Sequence, residues 1–428
     1  MPEAHILLAV VGTAGDALPA VALGRALIAR GATVTLLANP AFAELARNHG
    51  LPFEPFGTAK DHAAVAGDSR VWDDREGFAA YARGAIFPAV RPLHDLVARL
   101  ARPGSIVVAN NYAYGACFAA AALGLPIAHV FIQPAMFRGA RGETPVSADS
   151  RVDWFHKAMR AGEDYIRQVL MTRLNAMRPN LDLRDLRDLI LPKETPEQWI
   201  ALFPEWFAPR DADWPADVVF SGFPLFDDQD SYAADPTLDL FLSSGPPPVA
   251  VYVGSDVPHA HNFFAAALAA CTTLGCRAVI VNQHPEQLPP VLPEDVLRVG
   301  YVPFGRLLRR SAAAIHHGGI GTIAQCLSAG LPQVAMPIGF EQPDNASYIV
   351  RHGVGLVLDR IPDTPAPVAA ALAEVISSSQ IRSAASRAAA RLAADNSFAR
   401  APDVILSLAR NADAAAWHSG TAAARPIS

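Results

Sequence analysis

His5–Asn39 reads HILLAVVGTAGDALPAVALGRALIARGATVTLLAN. His5–Val11 is a continuous apolar run of strand length. Gly12–Asp16, GTAGD, is a loop. Ala17–Arg30 is helical in pattern and stops at Gly31, a residue that ends helices readily. Val34–Asn39 is a second apolar strand. The two strands are apolar on both faces, as parallel strands buried between helices are. This is a β-α-β unit, and it makes the fold class α/β. The alternation recurs in SIVVANN (Ser105–Asn111), an Ala-rich helix and IAHVFIQ (Ile127–Gln133).

The pattern restarts after a tract rich in Asp, Ser and Pro, Gly222–Pro248. PVAVYVGS, CRAVIVN, VLRVGYV, AAAIHH and PQVAMPI follow as strands with helices between them. Two doubly wound, Rossmann-like parallel-sheet domains are therefore expected to face each other across a cleft. The expected boundaries are 1–225 for a first domain, 226–246 for a linker, 247–396 for a second domain, and 397–428 for a C-terminal helix and tail packing back on the first domain. Residues 151–190 are charged and helical in pattern and read as an insertion.

The composition narrows the function classes. The 428 residues are 51% apolar, enough for two sizeable cores, and the net charge of −6 argues against a nucleic-acid partner. Cys117, Cys271, Cys276 and Cys326 show no zinc or CxxC spacing and read as reduced, buried thiols. MPEAHILLAVVG has neither a basic leader nor a cleavage site, so a cytoplasmic protein is expected. Asp211/Asp213 and Asp228/Asp230 form D-x-D triplets. One precedes Trp214-Pro215 and the other lies in the linker tract, so both read as solvated loop carboxylates.

The stretch Ile315–Thr322, IHHGGIGT, stands where an apolar strand hands over to a helical pattern. Glycines let the backbone approach a ligand closely, and the following helix aims its free N–H groups and positive dipole end into the same corner. The dipole contributes about 0.3–1 kcal/mol toward an anion. Thr322 is expected to cap that helix. The stretch is neither GxxxxGK[ST] nor GxGxxG, and VTLLAN ends without the acidic residue of a dinucleotide site. A diphosphate held without a metal is the expectation.

HHGGIGT, followed by Leu327–Ala346 (LSAGLPQVAMPIGFEQPDNA), resembles the donor signature of family 1 nucleotide-sugar glycosyltransferases of the GT-B fold. Gly12–Leu27 resembles the N-terminal loop of their bacterial and sterol-type branch. Trp72-Asp73, Leu202–Pro209 (LFPEWFAP), Asp213–Pro215 and Ser221–Asp227 (SGFPLFD) are similar to rhamnolipid-type rhamnosyltransferases.

The resemblance implies roles, with an acceptor-binding domain in 1–225 and a donor-binding domain in 247–396. His317 contacts the donor diphosphate, with Gly319, Gly321 and Thr322 beside it, whereas His316 divides between ligand and structural roles. Gly254 and Ser255 form a second phosphate loop. Tyr301 stacks on the nucleotide base, the Val302 backbone bonds it, and Pro303 completes that loop. Gln325 stands where a ribose-binding glutamate often stands, and Glu341 and Gln342 reach sugar hydroxyls. Asp16 is either the general base of an inverting transfer or a plain helix cap. Gly15, Phe137 and Arg138 are expected at the acceptor, between FAAYARGAIFPAV (Phe78–Val90) and the AMFRGARGE loop (Ala135–Glu143).

The expected activity is inverting transfer from dTDP-rhamnose or UDP-glucose to a hydroxyl of a hydrophobic, lipid-like or aromatic acceptor. No cofactor and no metal are expected. The protein is expected as a monomer or homodimer, and a lipid acceptor would allow peripheral membrane contact at the cytoplasmic face. Rivals are a UDP-glucose-dependent natural-product glucosyltransferase, a non-catalytic sugar-nucleotide-binding protein, and a sugar-nucleotide epimerase of the same fold. Nucleoside diphosphate release separates the second from an enzyme, and a donor-only incubation exposes the third.

Overall fold

The computed structural model describes residues 4–73, 76–138, 197–211, 214–227, 232–233, 235–254, 257 and 259–408. The inserted tract 151–190, the triplet residues Asp213, Asp228 and Asp230, and Ser255 lie outside the described residues.

Two parallel sheets form. The first contains β1 (His5–Ala9), β2 (Thr33–Ala38), β3 (Phe53–Pro55), β4 (Ser105–Asn110), β5 (Ile127–Phe131), β6 (Glu197–Ala201) and β7 (Val219–Phe220), in the order β3-β2-β1-β4-β5-β6-β7. The second contains β8 (Val249–Tyr252), β9 (Ala278–Val281), β10 (Val296–Val299), β11 (Ala313–His316), β12 (Gln333–Ala335) and β13 (Gly355–Val357), in the order β10-β9-β8-β11-β12-β13. The fold is α/β, with two doubly wound Rossmann-like sheets. Ile6, Leu8, Val34, Leu36, Ile106 and Val108 fill one core of the first sheet, and Val249, Val251, Ile280 and Ile315 one of the second.

Strand order reverses between β1 and β4 in the first sheet and between β8 and β11 in the second. Open α/β sheets bind ligands outside such switch points, because the following helices diverge there and leave a crevice. GTAGD follows β1, Val253-Gly254 follows β8, and His317–Gly319 follows β11. Topology thus carries the motif loops to the two crevices.

Two connections differ from their sequence reading or extend it. The expected linker contains the helix Pro236–Ser243, started by Asp235, whose carboxylate accepts from the Thr237 and Leu238 N–H groups. Leu238 and Leu242 of this helix pack with Val279, Val281 and Val299 of the second sheet. The Asp-Pro pair at the cap and first helical position was the local signal for it. The C-terminal helix 400–408 returns to the first sheet, where Ala401, Ile405 and Leu408 join the core and Arg30 pairs with Asp403 at 2.7 Å. Among the described residues, no helix is long and apolar enough to cross a membrane.

Candidate functional site

A cavity of about 570 Å³ lies where the two switch points face each other. Gly12, Thr13, Gly15 and Asp16 line one side. Gly254, Tyr301, Val302, His317, Gly319, Gly321, Thr322, Gln325, Glu341 and Gln342 line the other.

Asp16 is the third residue of the helix Ala14–Ile28. Its Oδ2 accepts from the Thr13 N–H at 3.0 Å, while the Thr13 hydroxyl accepts from the Gly15 N–H at 3.2 Å. This is a capping box. The carboxylate therefore caps the helix and lines the cavity at once; the two roles do not exclude each other. Asn110, at the end of β4, also holds it. The Asn110 Nδ2 donates to Asp16 Oδ1 at 3.3 Å and to the Val11 carbonyl at 2.8 Å, and its Oδ1 accepts from the Val11 N–H at 3.1 Å. A Cβ on Gly12 would lie 2.1 Å from Asp16 Oδ2, so only glycine leaves that carboxylate in place. Asn110 escaped the sequence reading. Its only signal was an amide at the end of an otherwise apolar strand.

The histidines divide. His316 is fully buried; its Nδ1 accepts from the Gly318 N–H at 3.1 Å, so its Nε2 carries the proton toward Gln333 Oε1 at 3.0 Å. It is a structural residue. Burial lowers its pKa to about 4. His317 lines the cavity, and burial, with His316 beside it, lowers its pKa to about 3, so the imidazole is neutral at neutral pH. Its Nδ1 is buried without a hydrogen-bond partner. The ring fits because its neighbours lack side chains: a Cβ would lie 3.3 Å from Nε2 at Gly254 and 2.6 Å at Gly319.

The helix Ile320–Ala329 begins at Gly319, with no side chain bonded to its first N–H groups. Thr322 is not the cap, as the sequence reading had it, but the third residue of the first turn. The chain enters through glycine, and the exposed end faces the cavity. Gly319 has φ −63° and ψ 137°, which alanine adopts without strain. Gly319→Ala is thus expected to displace only the His317 ring. Its donor dissociation constant should rise about as much as that of His317→Ala, with a lower melting temperature because the added methyl overpacks the buried ring; unaltered affinity would count against the imidazole.

Tyr301 is 46% exposed and lines the cavity, with the Tyr232 ring centroid 6.3 Å away, and the neighbouring Val302 is buried. Pro303 precedes the short helix Phe304–Leu307 and is not a lining residue. Phe304 lines the cavity and stands edge-on to Tyr252, ring centroids 5.1 Å apart. Gln325 Nε2 donates to the Phe226 carbonyl at 2.9 Å. Asp227, missed in sequence, also lines the cavity, and its carboxylate accepts from the Gly305 N–H at 2.7 Å. Gln342 Oε1 is occupied by the Ile338 and Gly339 N–H groups at 2.8 and 3.2 Å. That side chain holds its own loop, which the expectation of a simple sugar contact did not foresee.

Glu341 lines the cavity from the second domain and reaches Gln133 of the first, and its pKa is raised to about 7. Burial is the main cause; the Asp16 and Asp344 carboxylates add to it, and hydrogen bonds from its own backbone and from Gln133 offset part. Tyr112 is pushed well above its usual range, chiefly by burial, with Tyr81, Glu341 and Asp16 contributing. A carboxyl raised in the fold binds its proton more tightly than the unfolded chain does. Stability from this group is therefore present in acid and lost as pH rises from the ordinary carboxyl range through about 7. Glu341→Gln should match wild type at about pH 4 and melt higher at pH 8. Parallel melting curves at both pH values would refute this.

On the acceptor side, Tyr81, Gly84, Ala85, Pro88 and Ala89 of the expected wall line the cavity, with Phe56, Val65, Val71 and Trp72 opposite or beside them. Phe137 is a correction. It is fully buried among Phe131, Trp199, Phe203 and Trp214, stacked on Trp214 at 4.8 Å, and does not line the cavity. An aromatic following strand β5 is drawn into the sheet's apolar underside. Arg138 ends the same short helix, Ala135–Arg138; its side chain lies outside the described part.

Residues 6–137 match the glycosyltransferase family 28 N-terminal domain, and residues 267–406 match the erythromycin biosynthesis protein CIII-like C-terminal domain. The vancomycin aglycone glucosyltransferase of Amycolatopsis orientalis is 27% identical over 380 residues, 87% of this chain and 90% of that protein. The kitacinnamycin glycosyltransferase structure superposes with a TM-score of 0.71 at 24% identity, covering 95% of this chain and all (100%) of that one. Glycosyltransferase VinC, solved in complex with DTDP, superposes with a TM-score of 0.67 at 20% identity, covering 95% of this chain and 100% of its own. The chain is a nucleotide-sugar glycosyltransferase of the GT-B fold, family 28-like in its N-terminal part, erythromycin CIII-like in its C-terminal part, and related to the macrolide and sterol glycosyltransferases.

Proposed function

We propose that this protein catalyses inverting, metal-independent transfer of a deoxyhexose from a dTDP-sugar to a hydroxyl of an apolar acceptor. The observation that carries the reading is the single cavity onto which both Asp16 and the His317–Thr322 corner open. An acceptor hydroxyl beside Asp16 and a diphosphate at the helix start would share one space. Asp16 takes the proton as the hydroxyl attacks the anomeric carbon from the face opposite the leaving diphosphate. The Gly319, Gly321 and Thr322 backbone, with the Thr322 hydroxyl and His317, receives the diphosphate's charge. Gly254 closes its other side. Tyr301 stacks on the base, with Val302 and Pro303 in the base loop. Glu341 and Gln342 lie at the sugar. Gly15 and the Tyr81–Ala89 wall meet the acceptor.

The choice of dTDP rests on the ribose level. Gln325 has one amide oxygen, and its Nε2 is committed to Phe226; the Phe304 phenyl offers no hydrogen bond. Deoxyribose lacks the 2′-hydroxyl that these residues serve poorly. The DTDP-bound VinC structure is consistent with this choice. Affinity for dTDP should exceed that for UDP by about 2- to 10-fold, the worth of one hydrogen bond. Equal or tighter binding of UDP would favour the second reading, a UDP-glucose natural-product glucosyltransferase, which the vancomycin relative supports.

Rhamnose and a hydroxyacyl acceptor are the finer proposal, resting on the Trp72-Asp73, Leu202–Pro209 and Ser221–Asp227 resemblance. Nucleoside diphosphate release from dTDP-rhamnose and UDP-glucose, with hydroxyacyl and phenolic acceptors, tests the reading. Donor turnover without any acceptor, or none with any, would overturn it.

A further inference from the structure

Phe340 is the only non-glycine residue with a positive φ, 55°, among the described residues. Left-handed backbone is unfavourable for a residue with a bulky side chain, and asparagine or glycine would relieve it. The ring must therefore be held there by its surroundings. It stands edge-on to Trp72 (centroids 5.4 Å apart, planes at 88°) and to Tyr81 (5.8 Å, 78°). Both partners belong to the first domain, whereas Phe340 follows β12 of the second. Trp72 packs against the second sheet's core and against the Tyr81 cluster at once, and the Cβ position of Gly339 lies 3.8 Å from its ring. Trp72 is the motif residue whose role the transfer chemistry leaves open.

The next residue is Glu341. Its carboxyl meets Gln133, two residues past the first sheet's β5, and lies in the field of Asp16. Gly339, Phe340 and Glu341 thus cross the cleft in three consecutive residues. The titratable groups around Glu341 are Asp16 and Tyr112 from the first domain and Asp344 from its own helix, with Tyr81 beyond Tyr112.

We propose that Phe340 is a positioning residue: its ring, seated in the Trp72–Tyr81 socket, sets the register of the two domains that brings Glu341 against Gln133 beside Asp16. The inference rests on the reading above in taking this cavity as the site of transfer. Without the ring the loop relaxes, Glu341 meets water, and its carboxyl titrates nearer the ordinary range.

The test follows the Glu341 carboxyl by its ¹³C shift in the unliganded full chain, assigned with Glu341→Gln, alongside the pH profile of kcat/KM. In wild type and Phe340→Tyr the carboxyl should titrate near pH 7. In Phe340→Ala and Trp72→Ala its midpoint should fall by about one unit or more. Phe340→Leu, bulky but without a ring edge, guards against a misfolded Ala variant and should fall likewise. Turnover in these variants should drop about ten- to a hundredfold. Nucleoside diphosphate affinity should stay within about twofold, because the groups that bond the phosphate are unchanged. A Glu341 titration unmoved by loss of the ring overturns the proposal and leaves the transferase reading intact. Absence of transfer in wild type, with the titration moved as described, overturns the transferase reading instead.

Discussion

Asp16→Asn keeps nucleoside diphosphate affinity within about twofold and lowers turnover by about 10²–10⁴-fold, the range a general base contributes. Asparagine is the informative substitution. Its amide oxygen can still accept from the Thr13 N–H, which Asp16 Oδ2 now does at 3.0 Å, so the start of the helix Ala14–Ile28 survives. Asp16→Ala would also discard that bond, about 0.5–1.5 kcal/mol, and mix a stability loss into the rate. Asn110 supplies an independent check. Asn110→Ala removes the Nδ2 donor at 3.3 Å from Asp16 Oδ1 and unties the β1–β4 switch point, so turnover should fall while the phosphate corner keeps its affinity. Calorimetry for affinity and single-turnover rates for transfer separate the two quantities. Turnover of Asp16→Asn within about threefold of wild type would leave the carboxylate as a cap alone.

His317→Ala raises the donor dissociation constant about tenfold or more, from the loss of a hydrogen bond to an ionised oxygen worth about 1.5–3 kcal/mol. Burial keeps this imidazole neutral down to about pH 3 in the unliganded fold, so it would meet the incoming phosphate oxygen as a neutral N–H donor. The ring is also wedged between Gly254 and Gly319, which makes its placement rigid before the ligand arrives. His316→Ala provides the contrast. That side chain ties Gly318 to Gln333 inside the fold, so its loss should lower the melting temperature. Calorimetry with free dTDP reads the affinity directly. Unchanged binding by His317→Ala would move the diphosphate away from the Gly319–Thr322 corner.

Much of the fold was legible because its signals are local. Apolar runs of strand length, Gly31 after a helical pattern, and glycines at Gly318 and Gly319 depend only on neighbours in the chain. They specify parallel strands, their helices and the loops that line the cavity. The two-sheet architecture follows from their alternation and from its restart after the Pro-rich tract. The signature histidine and the Asp16 loop were likewise readable, since each sits at a strand end by chain order alone.

Tertiary structure decided what depends on residues far apart in the chain. It brought Asn110 to Asp16, divided His316 from His317 through Gln333, and drew Phe137 into an aromatic core where the sequence had placed it at the acceptor. It turned part of the expected linker into a helix packed on the second sheet, and set Phe340 against Trp72 across the cleft. Residue type and periodicity say that a side chain is apolar, polar or ionisable. Which side chain it meets, and hence its pKa, its tautomer and its access to the cavity, is determined by the packing of the two domains.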